Sequence, residues 1–593
     1  MARHKRPHTF SLQFDVPWQS KPLVKRRNRL VVDERLRAPT GEVEVPLALD
    51  QVEAAAQVFK KRGLKAVVIC FLFSFLNNEH EVKARDIVKR VIPDAFVCCS
   101  HEVVNVIREY ERFSSTAMNA YIGPTTARYL ERLEGRLREN GVTAKVRIMQ
   151  SNGGISTVEN SSRRPVGLLL SGPAGGVIGG RWTGASCNTK NVITIDVGGT
   201  SADISVIQNG ELRIKNPRDT EVAHLPVLVP MIDVDAIGAG GGSIAYLDPG
   251  GAFRVGPRSA GADPGPACYG KGGDQPTVTD ANVVLGRLPP QLLGGKMLLD
   301  TKAAEEAVGK IARALSLDLH QAAQGILDIV NENMFGALRL VTVQKGLDPR
   351  DFALVAFGGA GPLHGNAMGI LAGCYPTIVP PTPGVLSALG FLYSDVKNEF
   401  AQTFVRNIDD ADIGQVGDIL SRLGRDARAW LRDEGIDESR QQMSYEADVR
   451  YFRQGYEFSL EIDPERLGGG ALQDLATRFS LAHERIYGFK LDQPVEFVNL
   501  RAVGVGAVEK IKLPKFEKEG PDAKAAVVEQ HRAYFDGSFS SVNVYDRTRL
   551  RAGNRIRGPA IVTQMDATTV VHPAHTAEVD EYLNILITPD KAS

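Results

Sequence analysis

Apolar and polar residues alternate along this chain at two different periods, and the changes of period mark its elements. In residues 51–62 the apolar positions are Val52, Ala55, Ala56 and Phe59, which is helical spacing, and Gly63 supplies a stop. The unbroken run 66–76, AVVICFLFSFL, reads as a buried strand of a parallel sheet. It is well short of the roughly 20 residues that cross a bilayer. A charged helical stretch after Asn78, a short strand near 95–98 and a helix over about 116–140 closed by Gly141 extend the pattern. Helix, strand and helix in succession predict an α/β layer.

The stretch 193–207, ITIDVGGTSADISVI, organises the rest: an apolar strand breaks at Asp-Val-Gly-Gly-Thr-Ser, and a second alternating strand follows around Asp203. Gly198 and Gly199 let backbone N–H groups approach a ligand, because no Cβ stands in the way. Thr200 and Ser201 add hydroxyl donors, and Asp196 is placed to hold a hydrated magnesium ion. A Gly-Gly turn also occurs in hairpins for conformational reasons alone.

Other glycine-rich breaks accompany it. The strand 146–150 runs into Ser151-Asn152-Gly153-Gly154, which is either a ligand-contacting turn at a strand's carboxyl end or an ordinary Asn-Gly turn. The small residues of 168–180, LLLSGPAGGVIGG, suit close helix packing. In 235–245, DAIGAGGGSIA, Gly238, Gly240, Gly241 and Gly242 form a loop able to wrap an anion. Residues 255–273, VGPRSAGADPGPACYGKGG, read as an irregular functional loop, neither helix nor central strand, because glycine and proline punctuate them. The segment 302–345 is helical, broken near Ser316 and Asp318, and leads to ALVAFGGAGPLHG, where a strand ends in Gly358, Gly359 and Gly361. That spacing fits neither a dinucleotide fingerprint nor a P-loop. His364 either touches a substrate or holds structure. Cys268 is read as a buried thiol before a nucleophile, and Cys98, Cys99 and His101 as packing before a metal site, since adjacent cysteines suit one tetrahedral ion poorly.

Composition narrows the classes. A chain of 593 residues exceeds one core, and 43% hydrophobic with 24% charged residues is ordinary for globular domains. Lys+Arg 70 against Asp+Glu 70 leaves no net field to attract nucleic acid or an anionic membrane. The basic start, MARHKRPHTF, lacks the apolar middle of a secretory signal, and six scattered cysteines fit a reducing cytoplasm.

The stretches IDVGGTSADIS, IGAGGGSIA, VGPRSAGADPGPACYGKGGDQPTVTDANVVLGRL and DPRDFALVAFGGAGPLHG, supported by YGFKLDQPVEFVNLRA and the GPAIV…TTVV ending, resemble the A-type subunit of the hydantoinase/oxoprolinase family, which includes the ketone carboxylases. The resemblance implies an actin-like ATPase fold whose two α/β lobes close on magnesium-ATP, with an α+β, strand-rich C-terminal region. It implies that Asp196 orients the metal, that Gly198, Gly199, Thr200, Ser201 and Asp203 grip the nucleotide, and that Gly358, Gly359 and Gly361 lie near the adenosine. Arg258, Asp263 and Asp280 are expected to contact substrate or phosphate. The expected domains are 1–190 for the first lobe, 191–398 for the second, 399–509 as an α+β region and 510–593 as a strand-rich ending.

Such proteins use ATP either to activate a cyclic amide for hydrolysis or to carboxylate a ketone, with a B-type partner subunit. They usually open with another Asp-Val-Gly-Gly-Thr hairpin, whereas the only one here is at Asp196. The expectation is therefore a first lobe completed by a separate N-terminal fragment chain, a truncated sequence, or a noncatalytic subunit.

Overall fold

The computed structural model describes residues 22–215 and 220–590, so the basic start lies outside the described residues. The chain forms two compact units, each mixed α/β. The first joins the described residues of 1–171, 215–231 and 394–509, and the second those of 172–214, 232–393 and 510–593. The strand-rich ending thus shares a unit with the central hairpin.

In the first unit, helix α1 (Leu49–Lys61) buries Val52 and Ala56. Gly63 follows it at φ +65°, a left-handed conformation that favours glycine. Strand β1 (Ala66–Ile69) pairs in parallel with β2 (Phe96–Cys99), with helix α2 (Glu79–Val91) as the crossover. The apolar run does not stay extended to Leu76. The Glu81 carboxylate accepts from the Phe71 amide and the Ser74 hydroxyl, both at 2.9 Å, and the chain turns there. Helix α3 (Glu109–Glu139) begins earlier than Thr116, with Glu109 and Glu111 in its first turn, where the helix dipole favours carboxylates. Strands β3 (Arg147–Met149) and β4 (Ile155–Thr157) flank the 151–154 turn.

The second unit starts with helix α4 (Ser171–Ser186), whose small residues lie where it meets the sheet. A Cβ on Gly176 would stand 2.8 Å from the Phe357 ring, and one on Gly180 would collide with Thr194. Strands β5 (Val192–Val197) and β6 (Ala202–Gln208) form the central hairpin. Next come β7 (Val234–Ile237), β8 (Ser243–Leu247) and β9 (Phe253–Ser259). Residues 255–259 are therefore strand rather than loop. The pairing of β8 with β9 shifts register between Ser243 and Ala245, and this irregularity lies alongside Pro257, which has no N–H to contribute. Helices α5 (Val278–Val284), α6 (Thr301–Leu315) and α7 (Leu319–Val341) follow. The break before α7 is where expected: Asp318 caps it by accepting from the amides of His320 and Gln321. Strand β10 (Ala353–Phe357), helix α8 (Gly361–Ala372) and strand β11 (Thr377–Val379) close this part.

Back in the first unit, strand β12 (Val396–Asn407), helix α9 (Ile413–Asp433), strands β13 (Gln441–Tyr451) and β14 (Phe458–Glu461), helix α10 (Ala471–Tyr487) and strand β15 (Val495–Gly506) complete a six-stranded sheet ordered β14-β13-β15-β12-β4-β3. The tail returns to the second unit with β16 (Val527–Phe535), β17 (Ser538–Asp546), β18 (Arg555–Arg557), β19 (Ala560–Thr563), β20 (Thr568–Val571), β21 (His575–Val579) and β22 (Ile585–Pro589). Its nine-stranded sheet runs β7-β6-β5-β10-β11-β22-β21-β18, with Glu211–Leu212 added beside β6. Ile193 and Ile195 of β5 and Leu354 and Ala356 of β10 join Ile326, Val330 and Met334 of α7 in one buried cluster. This core fixes the ends of β5 and β10, where both glycine turns begin.

Candidate functional site

Asp196 is the one position of β5 that is not fully buried, and it pairs across the hairpin with Asp203. Among the described residues neither carboxylate accepts a hydrogen bond. Burial, and then the neighbouring Asp203 charge, push Asp196 up to about 6. Burial also raises Asp203. Two close carboxylates that lack donors form an oxygen-rich set suited to a hard divalent cation, which would relieve their repulsion.

The turn beyond Asp196 is held from behind. The Gly241 amide donates to the Gly198 carbonyl at 3.0 Å and the Gly242 amide to the Gly199 carbonyl at 2.6 Å, while Gly198 donates to Ser201 at 3.0 Å. The amides of Gly199 and Thr200 have no acceptor among the described residues, and both residues are exposed. The carbonyls are thus occupied and the N–H groups free, which is the polarity an anion needs.

The glycines of this region serve different ends. A Cβ on Gly240 would sit 2.8 Å from the Gly198 carbonyl oxygen and the Thr200 nitrogen, and one on Gly238 would sit 2.5 Å from Pro257. Gly358, at φ +83°, leaves room for the Asp196 carboxylate, which its Cβ would strike. Gly361 passes close behind, its Cβ position 3.5 Å from the Ile195 carbonyl oxygen. At Gly199, by contrast, a Cβ would meet nothing within 4 Å. Its smallness keeps open space open.

The structure brings Asp196, Gly198, Gly199, Thr200, Ser201, Asp203, Gly240, Gly241, Gly358 and Gly361 around one turn, with Gly238 packed against β9. Arg258 and Asp263 are exposed. The Arg258 guanidinium lies 5.4 Å from the centre of the Tyr246 ring. Asp280 is elsewhere in character: fully buried, it accepts from the amides of Ala267, Cys268 and Thr277 at 3.2, 2.8 and 3.0 Å and from the Thr277 hydroxyl at 2.7 Å. Its carboxylate holds the 266–269 loop against the start of α5.

Cys268 is buried, and burial together with Asp280 holds its thiol far above the ordinary range, which suits packing and not attack. His364 is buried, contacts Asn331 Oδ1 at 2.8 Å and is pushed down to about 4 by burial and then Arg287, so it is a neutral structural group. Cys99, Glu81 and His101 do cluster, but Glu81 is taken by the Phe71, Ser74, Ser100 and His101 donors, and the Cys99 thiol donates to the Glu81 carbonyl at 3.4 Å.

Sequence reading missed Asp566. It accepts from the Gly384 amide at 2.8 Å, and its carbonyl oxygen lies 3.8 Å from the Cβ position of Gly359. Thr279, donating its hydroxyl to the Gly241 carbonyl at 2.8 Å, and Ser259, 3.3 Å from Thr200 Oγ1, also support the turn. No local pattern flags any of them, because each reaches the turn only through the fold.

Residues 112–400 match the hydantoinase/oxoprolinase family, 1–92 its N-terminal region and 409–586 its C-terminal domain. The caprolactamase subunit alpha of Pseudomonas jessenii is 36% identical over 96% of this chain and 82% of that subunit. The chain belongs to the hydantoinase/oxoprolinase family. Another member, the acetophenone carboxylase gamma subunit of Aromatoleum aromaticum, is 32% identical over 95% of this chain and 79% of that one. The crystal structure of the ATP-dependent caprolactamase from Pseudomonas jessenii superposes with a TM-score of 0.83 at 32% identity, covering 99% of this chain and 84% of that one. The family resemblance read from the glycine stretches is thereby confirmed, as is a mixed α/β fold similar to that caprolactamase. Among the described residues, no helix is long and apolar enough to cross a membrane.

Proposed function

We propose that this chain is the ATP-using subunit of an enzyme that hydrolyses a cyclic amide of the hydantoin or 5-oxoproline type, on an actin-like ATPase fold and together with a B-type partner. The observation that carries the reading is the turn at 198–201, with carbonyls pinned, amides free and two donor-less carboxylates beside it. The amides of Gly199 and Thr200 grip phosphate oxygens, and the Asp196–Asp203 pair holds magnesium. The bound ion would neutralise phosphate charge. Gly358, Gly359 and Gly361 leave a smooth backbone surface for the nucleoside.

The chemistry needs such a site. A cyclic amide is stabilised by resonance and its nitrogen is a poor leaving group, so water attacks it slowly. Transfer of a phosphoryl group from ATP to the amide oxygen makes the carbon electrophilic and couples ring opening to ATP cleavage. The protein's part is in-line positioning and exclusion of bulk water. The relative named caprolactamase supports a lactam substrate. The relative named acetophenone carboxylase keeps a second reading, in which the same site activates a ketone or bicarbonate.

The test is calorimetry of magnesium-ATP binding to the purified chain, followed by ATP turnover with 5-oxoproline, hydantoin and caprolactam in the presence of a B-type partner. Amide-dependent turnover supports the hydrolase, and turnover that needs bicarbonate and a ketone supports the carboxylase. Absence of nucleotide binding in every combination leaves a noncatalytic subunit.

A further inference from the structure

The turn at 151–154, which sequence alone leaves between a ligand contact and an ordinary Asn-Gly turn, lies in the first unit beside two cations. It leaves the carboxyl end of β3, the end of a strand at which open α/β sheets hold ligands. Asn152 Oδ1 accepts from the Gly154 amide at 2.8 Å, and the Gly167 carbonyl accepts from the amide and the hydroxyl of Ser151 at 2.8 and 2.9 Å. The Asn152 Nδ2 donor has no acceptor among the described residues.

Lys397, near the start of β12, adjoins this turn: a Cβ on Gly154 would stand 2.6 Å from Lys397 Cβ and 3.1 Å from Asn152 Oδ1. Arg164 is the second cation, and the Gly167 amide donates to its carbonyl at 3.1 Å. Buried Asn119 of α3 clamps the chain on both sides of it, donating to the Arg163 carbonyl at 3.4 Å and accepting from the Val166 amide at 3.1 Å. The backbone of Arg164 is thus fixed. Its guanidinium nevertheless makes no hydrogen bond or ion pair among the described residues, and its Nε is buried. Burial holds this group below its ordinary pKa, and Glu399, the carboxylate whose charge reaches it, offsets only part of that.

Glu399 is two residues from Lys397, on the same face of β12, and it is already committed. It accepts from the Arg501 guanidinium, which also donates to Asp448. Lys397 makes no hydrogen bond or ion pair among the described residues, although its charge reaches Glu446. A desolvated guanidinium held in place without an acceptor is costly as framework, and its planar fork matches the two oxygens of a carboxylate.

We propose that Arg164, Lys397 and Asn152 form a binding site for a small carboxylate. The guanidinium takes both oxygens, the Lys397 ammonium supplies a second positive charge, and Asn152 Nδ2 supplies a further donor. Glu399 and Glu446 set the charge of the ligand: they repel a polyanion such as a phosphate monoester and leave a monoanion as the match. The site lies within the first unit and uses no nucleotide, so it stands apart from the proposed function.

The experiment is saturation-transfer NMR on the full chain, without nucleotide or magnesium. The probes are acetate and 5-oxoproline, with acetamide and 2-pyrrolidone as their uncharged counterparts and sulfate as competitor. Both carboxylates are expected to bind, the uncharged pair not to bind, and sulfate not to displace them at equal concentration. Arg164→Met is expected to weaken binding at least about tenfold without lowering the melting temperature, because it removes a desolvated charge that holds nothing. Arg164→Lys should recover part of the loss, and Lys397→Met and Asn152→Ala should each weaken binding about threefold or more. If Arg164→Met fails to fold, these last two variants decide by the same measurement. Four results overturn the proposal: neither carboxylate binds; acetamide binds as well as acetate; binding survives both Arg164→Met and Lys397→Met; or sulfate displaces acetate at equal concentration, which would show a bare cationic patch. A failed ATP assay with carboxylate binding intact would count against the proposed function and not against this site.

Discussion

Asp196 and Asp280 lie in the same unit, each beside a glycine-rich stretch, yet the first accepts no hydrogen bond among the described residues and the second accepts four. The difference separates a carboxylate left without donors, which the proposed function assigns to a cation, from one that the chain itself saturates. A buried charge without donors costs stability and persists when function requires it, whereas a saturated one is part of the framework. Both look alike in sequence: an aspartate near glycines and threonines.

Replacement should split them most sharply. Asp280→Ala is expected to destabilise the chain by about 3 kcal/mol or more, because two loop amides and the Thr277 amide lose a charged acceptor, and urea denaturation at pH 7 would register it. Asp196→Asn is expected to leave the denaturation midpoint unchanged or raised and to weaken magnesium-dependent nucleotide binding about 10–100-fold by calorimetry. Equal losses of stability in the two variants would erase the distinction.

The glycines give a finer version. Gly240→Ala drives a methyl into the 198–200 backbone and is expected to cost about 1–3 kcal/mol. Gly199→Ala meets open space and should leave the melting temperature nearly unchanged while lowering affinity for ATP. If Gly199→Ala binds ATP normally, the free amides of that turn are not the phosphate grip.

The smallest effect is one of pH. Asp196 sits at about 6, above an unfolded aspartate, so its contribution to stability is full below the ordinary carboxylate value and is lost as pH rises through about 6. Cation binding needs the ionised form and moves the other way, weakening as pH falls below about 6. Melting temperatures of the wild type and Asp196→Asn should therefore diverge as pH rises from about 4 to about 6, with the wild type losing more, and the gap should stay constant above about 7. Glu81 has the opposite sign. Burial pushes it up, but the His101, Ser100 and Phe71 donors outweigh burial and hold it below the ordinary range, so its contribution is present at neutral pH and is lost in acid as pH falls through its folded value.

Much of the candidate site is legible in the sequence because glycine is informative where backbone must approach backbone. The turns at 198–199, 240–242 and 358–361 were found for that reason, and the helix break at Ser316 and Asp318 because a cap is local chemistry. What escaped depends on distance along the chain. Asp566 reaches the Gly384 amide across the fold, and nothing in Gln564-Met565-Asp566 announces it. Strand β12 was missed because most of its residues are half-buried on both faces, which blurs the period-two signal. Residues 255–259 look like loop in the sequence because Pro257 normally excludes a central strand, whereas a two-stranded hairpin tolerates it.

The pairing of β11 with β22, Thr377 opposite Ile587, bears on how the protein is made. A ribosome that has released residues through Tyr393 has delivered every glycine turn of the candidate site, yet the strand that covers the edge of β11 and the carboxylate that receives the Gly384 amide are still untranslated. The second unit therefore cannot close until β22 is made and carries a naked sheet edge through the synthesis of the whole 394–509 stretch. A chain stopped before β22 holds every glycine turn but keeps the edge of β11 exposed to aggregation.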